Sequence, residues 1–327
     1  MPSRGTTLTA LPFVLVFALA IGLGIAALFT GPSQRTESGA PASSPTATAA
    51  AVASAAPTDT SAPPTVQPTA TPLASARDND PAEMLHVHNE LRIAAGAPAV
   101  RGDDRANAAA QRHAEYLATN NMLGHEETAG APGFSGVSVR DRLAAQGFPD
   151  TTASEVATSF GTGVDGVRSL WVLPYHRLGL MHPHAIVAGW GHAESGGRSV
   201  TVGVIVYDFG STAPDLVRSP AVGQRIAAAW DGEESPDVLP SGATRPVGYP
   251  VMVVYSRAQV VELRSTRLTD ASGREIASHV VQQIYERDYV AIVPVAPLAA
   301  GARYHVRLDL IVAGADVIQE WDFETER

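Results

Sequence analysis

From Pro81 to Trp171 apolar residues recur at the three-to-four spacing of helices, and from Ile186 onward they recur at strand spacing only. Asp80-Pro81 is an N-cap followed by proline at the first helical position, and Met84, Val87, Leu91 and Ala94 then mark one face up to Gly96. A second helix is predicted from about Asp103 to Asn121, with Ala106, Ala109, His113 and Leu117 on one face. A third starts near Ser138 and stops at Gly147, and a further helical piece covers Val164 to Trp171. A hairpin follows, Ile186 to Ala193 and Val200 to Phe209 about a Ser195-Gly196-Gly197 turn, which predicts an α+β layer fold.

Beyond Gly248 only strand signals occur: Val251 to Tyr255, Val260 to Arg264, Ile276 to Ile284, Tyr289 to Val293, Tyr304 to Val312 and Glu320 to Phe323. Their spacing predicts a small Ig-like β-sandwich over 248–327. Residues 211–247, rich in Pro, Gly, Asp and Glu, read as an inter-domain connector, which leaves 81–210 as the α+β domain.

The N-terminal quarter is of another kind. Leu8 to Phe29 is an uncharged run which, as a helix at about 1.5 Å per residue, would be about 33 Å long, enough to cross a bilayer core of about 30 Å. Residues 1–30 therefore read as a signal anchor. Cleavage at Ala18-Leu19-Ala20, followed by secretion, is the alternative, although that triplet lies inside the apolar run. Arg4 ahead of the run favours the bulk of the chain outside the membrane. Residues 31–80 collapse to Ala, Ser, Thr and Pro and read as a disordered stalk, long enough to cross a wall layer.

The chain has no Cys, and all 23 of its Lys-plus-Arg residues are Arg. Disulfides, thiolate nucleophiles, Schiff-base lysines, P-loop NTPases and ordinary kinases are thereby excluded. A net charge of −10 leaves no basic footprint for nucleic acid. Histidine is concentrated in the α+β part, eight of ten lying between His86 and His192. His125-Glu126-Glu127-Thr128-Ala129 begins like H-E-x-x-H but has Ala129 at the second ligand position, so the helical chelate fails. Gly161-Thr162-Gly163-Val164-Asp165-Gly166 fits G-x-G-x-x-G without the βαβ context of a dinucleotide site. His113 reads as a packed core residue. His182-Pro183-His184, if extended, could present two imidazoles to one ion.

In this setting His88-Asn89-Glu90-Leu91-Arg92 and Ala94-Ala95-Gly96 resemble the H-N-x-x-R opening of the CAP superfamily, the cysteine-rich secretory, antigen-five and pathogenesis-related proteins. The resemblance continues in order through Gly124-His125, Asp141-Arg142-Leu143, Gly147-Phe148, Glu155, Trp171, His176-Arg177, Pro183 and Gly189-Trp190-Gly191. It implies an α-β-α sandwich with a cleft formed by His125, Glu155 and His176. The family's second acid falls on Pro174, and Val156 stands where an Asn follows the glutamate. Two imidazoles and a carboxylate are also a common open zinc shell, with Glu126 or Glu127 as a candidate base. A hydrogen-bonded polar cleft without an ion is the alternative.

Three functions are compatible with this reading. The chain is a membrane-tethered extracytoplasmic binding module for a small amphiphile, a cell-wall component or a divalent metal; or a zinc-dependent hydrolase of peptide or wall material; or an adhesive surface protein with a vestigial cleft.

Overall fold

The computed structural model describes residues 77–256 and 260–327. Leu8 to Phe29 and the stalk up to residue 76 lie outside the described residues; among those described, no helix is long and apolar enough to cross a membrane. The α+β part runs α1 (Pro81–Ala94), β1 (Arg101–Gly102), α2 (Asp104–Thr119), α3 (Val139–Ala145), β2 (Thr152–Thr158), α4 (Gly163–Val172), α5 (Pro174–Met181), β3 (Ala185–Ser195) and β4 (Arg198–Tyr207).

Local chemistry sets the helix starts. Asp80 and Asp103 accept from the backbone N–H groups of Ala82 and Arg105 at 2.8 and 3.0 Å. Ser138 with Asp141, and Thr162 with Asp165, form reciprocal capping boxes at α3 and α4. The sequence reading missed α5, which opens on Pro174, and the short strands β1 and β2. Gly163 and Gly166 of the G-x-G-x-x-G run lie in and against α4, and Asn79 Oδ1 takes the Gly163 N–H at 2.7 Å, so these glycines serve packing.

The sheet order is β1-β3-β4-β2, with β1 parallel to β3 and the other pairs antiparallel. Strand alternation divides its faces. Val187, Val202, Val204, Val206 and Ala157 face the alanine-rich side of α2. Ala188, Trp190, Ile205 and Val156 pack with Met84, Val167, Leu170 and Leu180 from α1, α4 and α5. On the first face Gly189 and Gly191 let α2 lie on the strand backbone. A Cβ at either would stand 2.2 or 2.3 Å from the main chain of Ala106 or Gln111.

The all-β part comprises β5 (Leu216–Ser219), β6 (Arg225–Ile226), β7 (Ala229–Trp230), β8 (Val247–Gly248), β9 (Val251–Tyr255), β10 (Val261–Asp270), β11 (Ser278–Val280), β12 (Tyr289–Pro294), β13 (Arg303–Val312) and β14 (Ala315–Thr325). Two four-stranded sheets, β11-β12-β9-β5 and β10-β13-β14-β6, share a core that includes Val251, Val253, Ile292, Val306, Leu308, Trp321 and Phe323. Residues 211–247, expected as a connector, supply an edge strand to each sheet, β5 pairing with β9 and β6 with β14.

Sheet β11-β12-β9-β5 is apolar on both faces. Met252, Val254, Ala291 and Val293 point away from the sandwich core into the cluster that holds Trp171, Leu178, Leu180 and Met181. Arg177, fully buried, spans the same seam. It donates to Trp171 O and Val172 O on its own side and to Pro250 O (2.9 Å) and Ser219 Oγ (3.2 Å) across it, and it stacks on Tyr249. The α+β and all-β parts are thus joined by one continuous apolar layer and a shared cation.

Candidate functional site

The H-N-x-x-R run has a structural task. His88 Nε2 and Arg92 Nη1 both donate to Leu180 O, at 3.0 and 2.5 Å, and Arg92 also reaches His182 O and Pro98 O. They satisfy carbonyls that the last turn of α5 leaves unpaired. Asn89 exchanges two hydrogen bonds with the main chain of Val100, at 2.9 and 2.8 Å, fastening α1 to the start of β1. Burial first, and the Arg92 charge second, hold the His88 imidazole down at about 3, so it is neutral.

On the α2 face of the sheet, Glu155 of β2 meets His113 of α2 and Arg142 of α3. Glu155 Oε2 accepts from Arg142 Nη2 at 2.7 Å, and its Oε1 lies 3.3 Å from His113 Nε2 and 3.2 Å from His125 Nδ1. Burial raises the Glu155 carboxyl, but the His125 hydrogen bond and the charges of His113 and Arg142 outweigh it, and the net shift is downward. Glu155, His113 and Arg142 have almost no solvent exposure, whereas the His125 side chain is 54 % exposed.

Residues 120–138 wrap this cluster around a second buried carboxylate, Glu127. Its Oε1 takes the Ser135 hydroxyl and His113 Nδ1, each at 2.9 Å, and its Oε2 takes the backbone N–H groups of Ser135 and Gly136. Arg142 closes the loop by donating to Gly136 O, Val137 O and His125 O. Since the Gly124 carbonyl can only accept, its 3.1 Å contact with His113 Nε2 puts a proton on that nitrogen. The same loop leaves Met122, Leu123, Phe134 and Val137 exposed.

Of the three residues implied by resemblance, the structure brings His125 and Glu155 together and bonds His176 elsewhere: its Nδ1 lies 2.6 Å from Glu234 Oε1. Glu127 is committed to structural donors, and Glu126 is exposed. His113 and Arg142, the two side chains that hold Glu155, were passed over as a core residue and as part of a motif. Their signal was a histidine inside an apolar helix face and an arginine following a capping acid.

Zinc does not fit this donor set. Both Glu155 oxygens already carry donors, one of them a buried guanidinium, which would repel a cation. Among the described residues no three His, Asp or Glu side chains are placed to hold a metal. The His182-Pro183-His184 pair is likewise committed. His182 Nδ1 accepts from the His184 N–H at 3.1 Å and its Nε2 contacts Asp288 Oδ2, while His184 Nδ1 contacts Asp208 O at 3.1 Å.

Residues 85–207 match the sequence model of the CAP, cysteine-rich secretory protein family, and this part of the chain is a CAP domain. No curated protein matches the chain. Among solved structures, CopC from Methylosinus trichosporium OB3b is 16 % identical with a TM-score of 0.25, over 33 % of this chain and 88 % of its own. An outer surface protein of Borrelia burgdorferi is 16 % identical with a TM-score of 0.32, over 38 % and 89 %. An extracellular protein containing a SCP domain from Bacillus anthracis is 17 % identical with a TM-score of 0.33, over 39 % and 40 %. Overlaps this slight say nothing of function.

Proposed function

We propose that the chain is a membrane-tethered extracytoplasmic CAP-domain protein that binds a small amphiphile at His125. Leu8 to Phe29 anchors it, residues 31–80 stand it off the membrane, and the Ig-like sandwich serves as a spacer. The observation that carries this reading is the pairing of an exposed imidazole with an immobilised, buried carboxylate, on a loop that also exposes Met122, Leu123, Phe134 and Val137. Exposed apolar side chains on the loop that carries the polar pair suit a ligand with an apolar body and a hydrogen-bonding head. Two surface hollows, of about 360 and 450 Å³, lie at the β3–β4 turn and beside the C-terminus and are not lined by His125 or Glu155.

The hydrolase reading has less support, because Glu127 is held by four donors and cannot turn toward a water without stranding them. The test is fluorescence titration of the full chain in detergent with a fluorescent fatty acid and, separately, a fluorescent sterol. Saturable binding that His125→Ala weakens by about tenfold, about 1.4 kcal/mol, supports the proposal. Binding that neither His125→Ala nor Phe134→Ser alters would leave an adhesive protein with a vestigial cleft.

A further inference from the structure

Glu234 lies on the loop between β7 and β8, which is braced from within. Arg245 donates to Gly232 O at 3.0 Å and to Asp237 Oδ1 at 2.6 Å, its guanidinium stands 5.8 Å from the Trp230 ring centre, and Val238 and Leu239 are buried in the apolar layer. The brace delivers a Glu234 side chain with no solvent exposure to the start of α5.

The first N–H groups of a helix have no partner within it, and Leu173, the N-cap of α5, offers no side-chain acceptor. Glu234 supplies one from a distant part of the chain. It accepts from the N–H groups of Tyr175 and His176 at 3.1 and 2.8 Å, and its Oε1 lies 2.6 Å from His176 Nδ1. Burial, with the Glu234 charge second, pushes the neighbouring Tyr175 phenol up to about 12.

Which ring nitrogen of a neutral histidine carries the proton is decided by the bond the other one makes. A carboxylate already committed to two N–H groups asks for a third donor, so Nδ1 keeps the hydrogen. Nε2 then presents a lone pair. It has no hydrogen-bond partner among the described residues, and the His176 side chain is 17 % exposed.

We propose that Glu234 is a positioning residue that fixes His176 as the Nδ1–H form, making its Nε2 an outward acceptor for an O–H or N–H group of a ligand at the seam between the CAP domain and the all-β part. Among the described residues the site shares no hydrogen-bond partner with His125, which pairs with Glu155. It cannot form in the CAP domain alone, because its carboxylate belongs to the chain beyond residue 207.

The test is long-range ¹H–¹⁵N correlation on histidine-labelled full chain in detergent, at mildly alkaline pH, with His176 assigned by its loss in His176→Asn. The expected spectrum shows Nδ1 protonated and Nε2 unprotonated in the wild type, reversal toward the Nε2–H form in Glu234→Ala, and partial recovery in Glu234→Asp. A mere helix cap would lower stability in Glu234→Ala without moving the tautomer. That outcome, or a wild-type His176 with its proton on Nε2, would overturn the proposal. The wild-type spectrum decides the matter even if Glu234→Ala does not fold.

Discussion

Arg142 Nη2 donates to Glu155 Oε2 across 2.7 Å with neither side chain more than 2 % exposed, and the same guanidinium holds three carbonyls of the loop that carries His125. Cluster and loop are therefore one mechanical unit. Arg142→Met should leave the Glu155 charge buried without its cation and cost about 3–5 kcal/mol. Chemical denaturation measures it, and proteolysis should then cut first between residues 120 and 138.

Acid should destabilise the protein in two windows. His88 stays neutral when folded, down to about 3, whereas the unfolded chain takes up a proton below its ordinary 6.5. Protons thus favour the unfolded state between those values, and stability falls by up to about 1.4 kcal/mol per pH unit as pH drops through them. Glu155 is also shifted downward, from 4.5, which for a carboxyl means that the charged form is favoured on folding, so its contribution is intact above that value and is lost as pH falls through the folded value. Denaturation curves of wild type and His88→Phe between pH 7 and 4.5 should diverge in slope. Parallel curves would contradict a neutral His88.

Gly191→Ala should be among the most damaging small substitutions. Its Cβ would stand 2.3 Å from the Gln111 main chain, and neither strand nor helix backbone can withdraw without opening the α2 face of the sheet. A loss at or above the upper end of about 1–3 kcal/mol is expected from thermal melts. Gly273→Ala, where nothing lies within 4 Å of the new Cβ, carries only the backbone strain of its φ of +83°.

The CAP domain and the all-β part should unfold together. Met252, Val254, Ala291 and Val293 are covered by α5 and its neighbours, and Arg177 is bonded on both sides of the seam. Tryptophan fluorescence and far-UV dichroism should report a single transition for the full chain. A fragment ending at residue 210 should expose its half of the layer and aggregate. Two separable transitions would restore the picture of two independent domains joined by a connector.

Zinc calorimetry at neutral pH should show no stoichiometric site that depends on both His125 and His176. The first sits on a carboxylate already held by Arg142, and the second is bonded to Glu234. Stoichiometric heat abolished by His125→Ala and by His176→Ala alike would reinstate the shared ion.

The sequence by itself determined whatever is written over a few residues. Asp80-Pro81, Asp103 and the Ser138/Asp141 pair mark helix starts by side chains that reach only two or three positions along the chain. The alternating apolar strands of the hairpin gave the α+β order, and the ordered fragments from His88 to Trp190 gave the CAP domain, matched over 85–207. Unbroken apolar runs at Val251 to Tyr255 and Tyr289 to Val293 also carried a message, since a strand apolar on both faces must be covered on both. Only the tertiary structure decided what covers them. Likewise, His113, Glu127, Arg142 and Glu155 are ordinary polar residues until α2, α3, β2 and the loop bring them within hydrogen-bond reach, and Glu234 meets His176 across 58 positions of chain. Short-range hydrogen bonds and side-chain period act within one element and can be read along the sequence. Charge pairing inside a core depends on which elements pack together, and that is settled by burial across the whole molecule.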